Sequence, residues 1–371
     1  MNKIIYLDAA ASALKSNSVI NAEVDFLQNA YANSGRGICA RASAVDNMVV
    51  QTRERVAKFI NADPEQVVFT SGATDGLNRI VNILSSQTAD FAKSVVAVSD
   101  LDHHSARLPW EILLHHGKVG EIVRCELDEN FDIKIDSIPR ADFLIITAMS
   151  NVLGRAQDIE SIIVAARKRN PNVITIIDAS QYVVHNRIDV KKWNCDFLVF
   201  SGHKIGADTG VGILYIRDSK KYFPDKFGGG MVSTVSSSSV VLESAPTKWE
   251  AGTLPLTQIA GLNVAIDELE NHRSDLALVK YAYDELSKLE RIKIITSRDA
   301  AILSFVVDGM HPLDVGIMLG ARDICVRAGN MCASWIHHLL GLSGSVRISV
   351  GPWNTMDDIK QAIDAIKQIV K

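Results

Sequence analysis

The chain has five cysteines in 371 residues, at positions 39, 125, 195, 325 and 332, and no CxxC pair among them. So sparse and odd a set excludes a disulfide framework and a cysteine-built zinc site. It fits a reducing compartment, with the cytoplasm as the expectation. A surplus of one charge is lacking too: 39 basic residues face 43 acidic ones, a net charge of −4. Nothing in that balance calls for nucleic acid or an anionic membrane surface. No apolar run approaches the roughly 18 residues of a bilayer span. The apolar stretch before Asp8 in MNKIIYLDAAAS is too short for a signal peptide. Internal repeats are also missing. What remains is an ordinary globular composition, 47% hydrophobic and 22% charged, in a chain long enough for about two domains.

Helical and strand-like patterns alternate along most of the length. Apolar residues recur at helical spacing over Asp46–Ile60 and Ile159–Arg169, and a further helix opens at Gly72 and runs through Leu84. Compact apolar runs at Gln66–Thr70, Ser94–Val98, Phe143–Thr147, Val173–Ile177, Phe197–Phe200 and Val211–Ile216 read as buried strands. This pattern predicts an α/β fold with a mostly parallel central sheet, whose ligands belong beyond the carboxyl ends of its strands. From Leu256 a long amphipathic helix, LTQIAGLNVAIDELENH, leads into a smaller C-terminal α+β domain. The expected division is a large domain over 14–258 and a small one formed by 1–13 and 259–371. The serine-rich stretch Ser233–Ser239 reads as a flexible linker or as a projecting hairpin.

Chemistry gathers around Lys204, which follows the strand-like run Phe197–Phe200 in FLVFSGHKIGADTG. A lysine there is either a surface turn residue or an amine in desolvated surroundings, where it loses its charge easily. It is no P-loop lysine, because Ile205 follows it. Asp178 ends another strand, either as a cap or ion-pair partner or as the carboxylate for a buried cationic ring. Thr70-Ser71-Gly72-Ala73-Thr74 stands between a strand and a helix, as plain capping or as an anion cradle of backbone N–H groups and hydroxyls. His103 follows a strand at the same rim, and Ser201 and His203 flank the lysine. Together they describe pyridoxal phosphate held by a Schiff-base lysine, a carboxylate on the pyridinium nitrogen and a phosphate cradle.

The stretches YLDAAAS, TSGATDGLN, DHHSARLPW, SNVLG, DASQ, SGHK, GGGMVSTV, KWEAGT, VRAGNMCA and VRISVGPWN occur in that order. In this respect the chain resembles the class V aminotransferase family of fold-type I pyridoxal-phosphate enzymes, and within it the cysteine desulfurases of the Suf-like group. The resemblance implies that Lys204 carries the cofactor and that Asp178 meets its ring nitrogen. It implies that Gln181 meets the ring hydroxyl and that His103 stacks on the ring. Ala73, Thr74, Ser201 and His203 would hold the phosphate, and Asn151 would lie near the ring. Arg347 would bind the substrate carboxylate. Thr253 would reach the phosphate of a partner subunit, which implies a homodimer with shared sites.

Cys332 would be the nucleophile that takes sulfur from L-cysteine as a persulfide and passes it to an acceptor protein, as in iron–sulfur cluster assembly. Arg327, five residues upstream, would favour its thiolate. The other cysteines at 125, 195 and 325 read as packed thiols. A selenocysteine lyase would use the same residues, whereas an aminotransferase or epimerase would have no use for Cys332. The chain departs from the Suf-like pattern at Asn330-Met331 and at Cys39 in Arg36-Gly37-Ile38-Cys39, where histidines are usual. His337-His338 has no role in that resemblance.

Overall fold

The computed structural model describes residues 3–35, 37–271 and 275–371. Arg36 and His272, the last residue of the helix expected from Leu256, lie outside them. In chain order the strands are β1 (Ile5–Tyr6), β2 (Val67–Thr70), β3 (Val95–Val98), β4 (Glu121–Arg124), β5 (Phe143–Thr147), β6 (Ile174–Asp178), β7 (Phe197–Ser201) and β8 (Gly212–Ile216). They continue with β9 (Val232–Val235), β10 (Val240–Leu242), β11 (Ile292–Ile294), β12 (Leu303–Val307), β13 (Ile324–Cys325), β14 (Arg327–Gly329) and β15 (Ser345–Ile348).

Seven strands form the central sheet in the order β2-β8-β7-β6-β5-β3-β4. β3 to β7 run parallel, and β8 lies antiparallel to both β2 and β7. Their residues are apolar on both faces because helices cover both, the arrangement that βαβ crossovers impose. One apolar cluster includes Leu144, Leu198 and Ile213, and another includes Ile145, Val199 and Leu214. This is the mostly parallel α/β sheet expected from the sequence. Its rim gathers Thr147, Asp178 and Ser201, the last residues of β5, β6 and β7.

A second, antiparallel sheet, β11-β12-β15-β14, forms the C-terminal domain and has its own core around Phe305, Val346 and Ile363. The start of the chain belongs to this side. β1 pairs in parallel with β13, and Asp8 bridges to Ser349. Past that point the chain crosses to the large sheet, where the Ala13 N–H donates to the His203 carbonyl at 2.9 Å.

Element boundaries shift where side chains outweigh periodicity. The helix expected from Asp46 begins at Ala40, because Ala42 and Val45 already extend its buried face at helical spacing ahead of Val49. Gln66 is not in β2; its side chain accepts from the Asp63 N–H at 2.9 Å and closes a 3₁₀ turn over Pro64–Gln66. The serine-rich stretch is a hairpin, with β9 and β10 paired antiparallel.

Candidate active site

A cavity of about 390 Å³ opens at the rim between the two sheets. Eleven of the twelve residues expected at the site line it: Ala73, Thr74, His103, Asn151, Asp178, Gln181, Ser201, His203, Lys204, Cys332 and Arg347. The twelfth, Thr253, does not. It is exposed, three residues beyond Glu250. A buried bidentate pair with Arg53 anchors that glutamate, at 2.8 and 2.7 Å.

Lys204 sits in a 3₁₀ turn directly after β7. Its Nζ donates to the carbonyls of Ala10 and Ala11 at 2.7 and 2.8 Å. Burial first, and the neighbouring Arg347 second, pull its amine down to about 8. This is the desolvated lysine, not the surface one. His203 beside it is depressed to about 4 by burial and by Lys204.

The cradle is tight. The Ser201 hydroxyl accepts from the Ala73 N–H at 2.8 Å, at the start of the helix Ala73–Gln87. Glycine is required at 212, because a Cβ there would stand 2.5 Å from the Gly72 Cα. Thr74 Oγ1 meets Ser105 Oγ at 2.7 Å. The Ser105 N–H donates to His103 Nδ1 at 3.2 Å, which leaves the ring proton of the neutral imidazole on Nε2. Burial lowers the His103 pKa, as does Lys204, while Asp178 opposes them.

Arg347, on β15, is only 2% exposed. Its Nη1 donates to the Asn151 carbonyl at 2.8 Å and its Nη2 to Asp8 Oδ1 at 3.1 Å. Cys332 stands at the exposed end of a loop after β14. Met331 and Cys332 both adopt the left-handed backbone, with φ of 53° and 54°. Arg327, which the sequence set beside the thiol, lines the same cavity as Cys332, and its guanidinium pairs with Asp8. Cys39 is also exposed, so exposure alone does not single out Cys332. Cys125 and Cys195 are packed thiols, pushed up to about 12 by burial, and Cys325 is half-buried.

Several buried polar atoms at the cavity lack a partner in the protein: Gln181 Oε1, Asn151 Oδ1, Thr147 Oγ1 and Arg347 Nε. Among the described residues only three others share that condition, all elsewhere. Buried polar groups left unpaired are costly, so these four mark where a polar ligand completes the site. A ring hydroxyl suits Gln181 Oε1, and a substrate carboxylate suits Arg347 Nε together with the second N–H of Nη2. The donor set therefore fits pyridoxal phosphate.

The model of the Aminotransferase class-V family matches residues 5–362. The chain belongs to this family. Class-V aminotransferases depend on pyridoxal phosphate, and that is the cofactor of this chain. A cysteine desulfurase of Salmonella agona is 31% identical over 99% of this chain and 93% of its own length. Among solved structures, the apo cysteine desulfurase of Thermococcus onnurineus NA1 superposes with a TM-score of 0.92 at 29% identity, covering 99% of this chain and 94% of that one. The cysteine desulfurase CsdA of Escherichia coli gives 0.89 at 30% identity, covering 98% and 94%.

Sequence reading missed Asp8, Ala10, Ala11 and Ser105. The first three stand in YLDAAAS, and only that quoted motif pointed to them. Ser105 follows the two histidines of DHHS. His337 also receives a role: it is buried, with Nδ1 3.0 Å from the Ala333 carbonyl and Nε2 3.0 Å from Ser345 Oγ. It ties the short helix Ser334–Leu339 to β15.

Proposed function

We propose that this chain takes sulfur from L-cysteine, with Cys332 as the acceptor thiol and Lys204 as the cofactor lysine. It is a pyridoxal-phosphate enzyme of the cysteine desulfurase type. The observation that carries the residue assignment is the meeting of Lys204 and Cys332 on one cavity, each presented just beyond a strand of a different sheet. An aminotransferase needs the lysine but has no work for the cysteine.

Lys204 would hold the cofactor covalently, Asp178 would face its ring nitrogen, Gln181 its hydroxyl and His103 its face. Thr74, Ser201, His203 and the Ala73 backbone would take the phosphate. Bound there, the ring supplies a sink for the electron pair released at the substrate Cα. Arg347 and Asn151 hold the substrate carboxylate, and Arg347 does so through a charge-assisted contact. Lys204, with its amine near neutrality, moves the Cα proton. The Cys332 thiolate attacks the substrate sulfur. The carbon–sulfur bond breaks, a sulfur–sulfur bond forms, and protons on the carbon fragment complete alanine. Cysteine plus enzyme thiol thus gives alanine plus enzyme persulfide, with no outside oxidant.

The reading extends to a homodimer in which Thr253 reaches the partner's phosphate, and its exposed place outside the cavity fits that. It also extends to two domains, 14–258 and 1–13 with 259–371, and to cytoplasmic work that delivers sulfur to an acceptor protein, as iron–sulfur assembly requires. No helix among the described residues is long and apolar enough to cross a membrane. Incubation with L-cysteine and no reductant tests the core claim. Alanine should appear with one extra sulfur on Cys332 by mass spectrometry. Pyridoxamine phosphate without persulfide would overturn it, and activity on selenocysteine alone would make the chain a selenocysteine lyase.

A further inference from the structure

The loop that presents Cys332 is held in a costly shape. Two successive non-glycine residues in the left-handed region forfeit roughly 1–2 kcal/mol each, so bonds from outside must impose that shape. The Asn151 Nδ2 donates to the Met331 carbonyl at 2.8 Å. Asn330 supplies its Oδ1 to the Cys332 N–H at 3.3 Å and its carbonyl to the Ala333 N–H at 2.9 Å.

His104 contributes twice. Its backbone N–H donates to the Cys332 carbonyl at 2.7 Å. Its Nε2 lies 3.2 Å from the Ser334 backbone nitrogen and 3.0 Å from Ser334 Oγ. A backbone N–H can only donate, so Nε2 is the acceptor and the imidazole proton is on Nδ1. Burial lowers the His104 pKa and keeps that lone pair free. The ring also meets Trp335 edge-on, with centroids 5.2 Å apart, while Arg107 covers Trp335 at 4.3 Å.

We propose that His104 is a positioning residue for the Cys332 thiol: its neutral Nε2 accepts the Ser334 N–H and locks the C-terminal flank of the loop onto the large domain. His104 does not line the cavity, although His103 and Ser105 on either side of it do. It acts through the loop, from the residue next to ring-facing His103, so one helix N-terminus places both the cofactor face and the thiol. This inference rests on Cys332 being the nucleophile.

The test compares His104→Gln with His104→Asn in the cofactor-loaded enzyme. A Gln amide oxygen reaches the place of Nε2, whereas an Asn amide ends one bond shorter. Both variants should keep the cofactor absorbance and the KM for L-cysteine. Single-turnover persulfide formation should fall about 10- to 100-fold in His104→Asn and recover to within a few-fold in His104→Gln. Wild-type rates in His104→Asn, or equal losses in both variants, would overturn the proposal. A loss of bound cofactor in either variant would also overturn it, since the role would then be structural. Cys332→Ser is run alongside. If that variant still makes alanine, the nucleophile assignment fails; if it is silent while His104→Asn is normal, only the role of His104 fails.

Discussion

The two halves of the site are built in different ways. The cofactor half, with Asp178, Ser201 and Lys204, stands on the ends of adjacent parallel strands of a sheet buried on both faces. The thiol half stands on an exposed loop in an unfavourable backbone shape, fastened to the large domain by Asn151 and His104. On the proposed assignment the first would hold the cofactor and gain from rigidity. The second would meet substrate and then offer sulfur to an acceptor, and would gain from access. Stability is spent where chemistry must be reachable.

The most severe way to break the rigid half is Lys204→Ala. All turnover should stop, and borohydride reduction should no longer fix cofactor to the chain; fixation on another lysine would refute the assignment. Cys332→Ser breaks only the accessible half. Alanine release should vanish while cofactor absorbance and the spectral response to L-cysteine stay as in wild type.

Arg347 joins the halves, since its partners are Asp8 and the Asn151 carbonyl. Arg347→Ala should cost about 2–4 kcal/mol in kcat/KM, with Arg347→Lys restoring only part, because the planar fork is lost. A wild-type kcat/KM would place the carboxylate elsewhere.

The smallest expected effect is on stability against pH. The buried Lys204 amine titrates near 8 in the folded, cofactor-free protein and near its ordinary value of about 10.4 when unfolded. Between those values the unfolded chain binds more protons, so folding stability rises with pH and levels off above that window. Melting of cofactor-free protein between pH 7.5 and 10 should show this climb relative to Lys204→Met. Parallel curves for the two proteins would mean the amine is not desolvated.

Legibility followed the same division. β5 to β8, Asp178 and Lys204 could be read because strand ends follow from apolar runs, and motif residues sit where those runs stop. The loop could be read only as turn-like: nothing in Asn330-Met331-Cys332 announces two left-handed residues, since bonds from positions 104 and 151 join those of Asn330 in imposing them. The partner of Arg327 was hidden for the same reason. Its spacing to Cys332 is visible in the sequence, but its pairing with Asp8 joins residues 319 apart. The serine-rich stretch stayed ambiguous because its hairpin depends on pairing across the turn.

That last kind of contact bears on how the enzyme is made. Asp8 and Arg347 are 339 positions apart, which at about 5–20 residues per second is roughly 17–70 s of synthesis. Residues 8–10 leave the ribosome long before their partners at 327, 347 and 349. Until then the Ala10 and Ala11 carbonyls are held near Lys204 only from the large-sheet side, by Gln181 Nε2 on the Ala10 carbonyl at 2.7 Å and by the Ala13 N–H on the His203 carbonyl at 2.9 Å. A nascent chain therefore carries Lys204 in a pocket that still lacks Arg327, Cys332 and Arg347, and the cavity is complete only once synthesis has passed position 349.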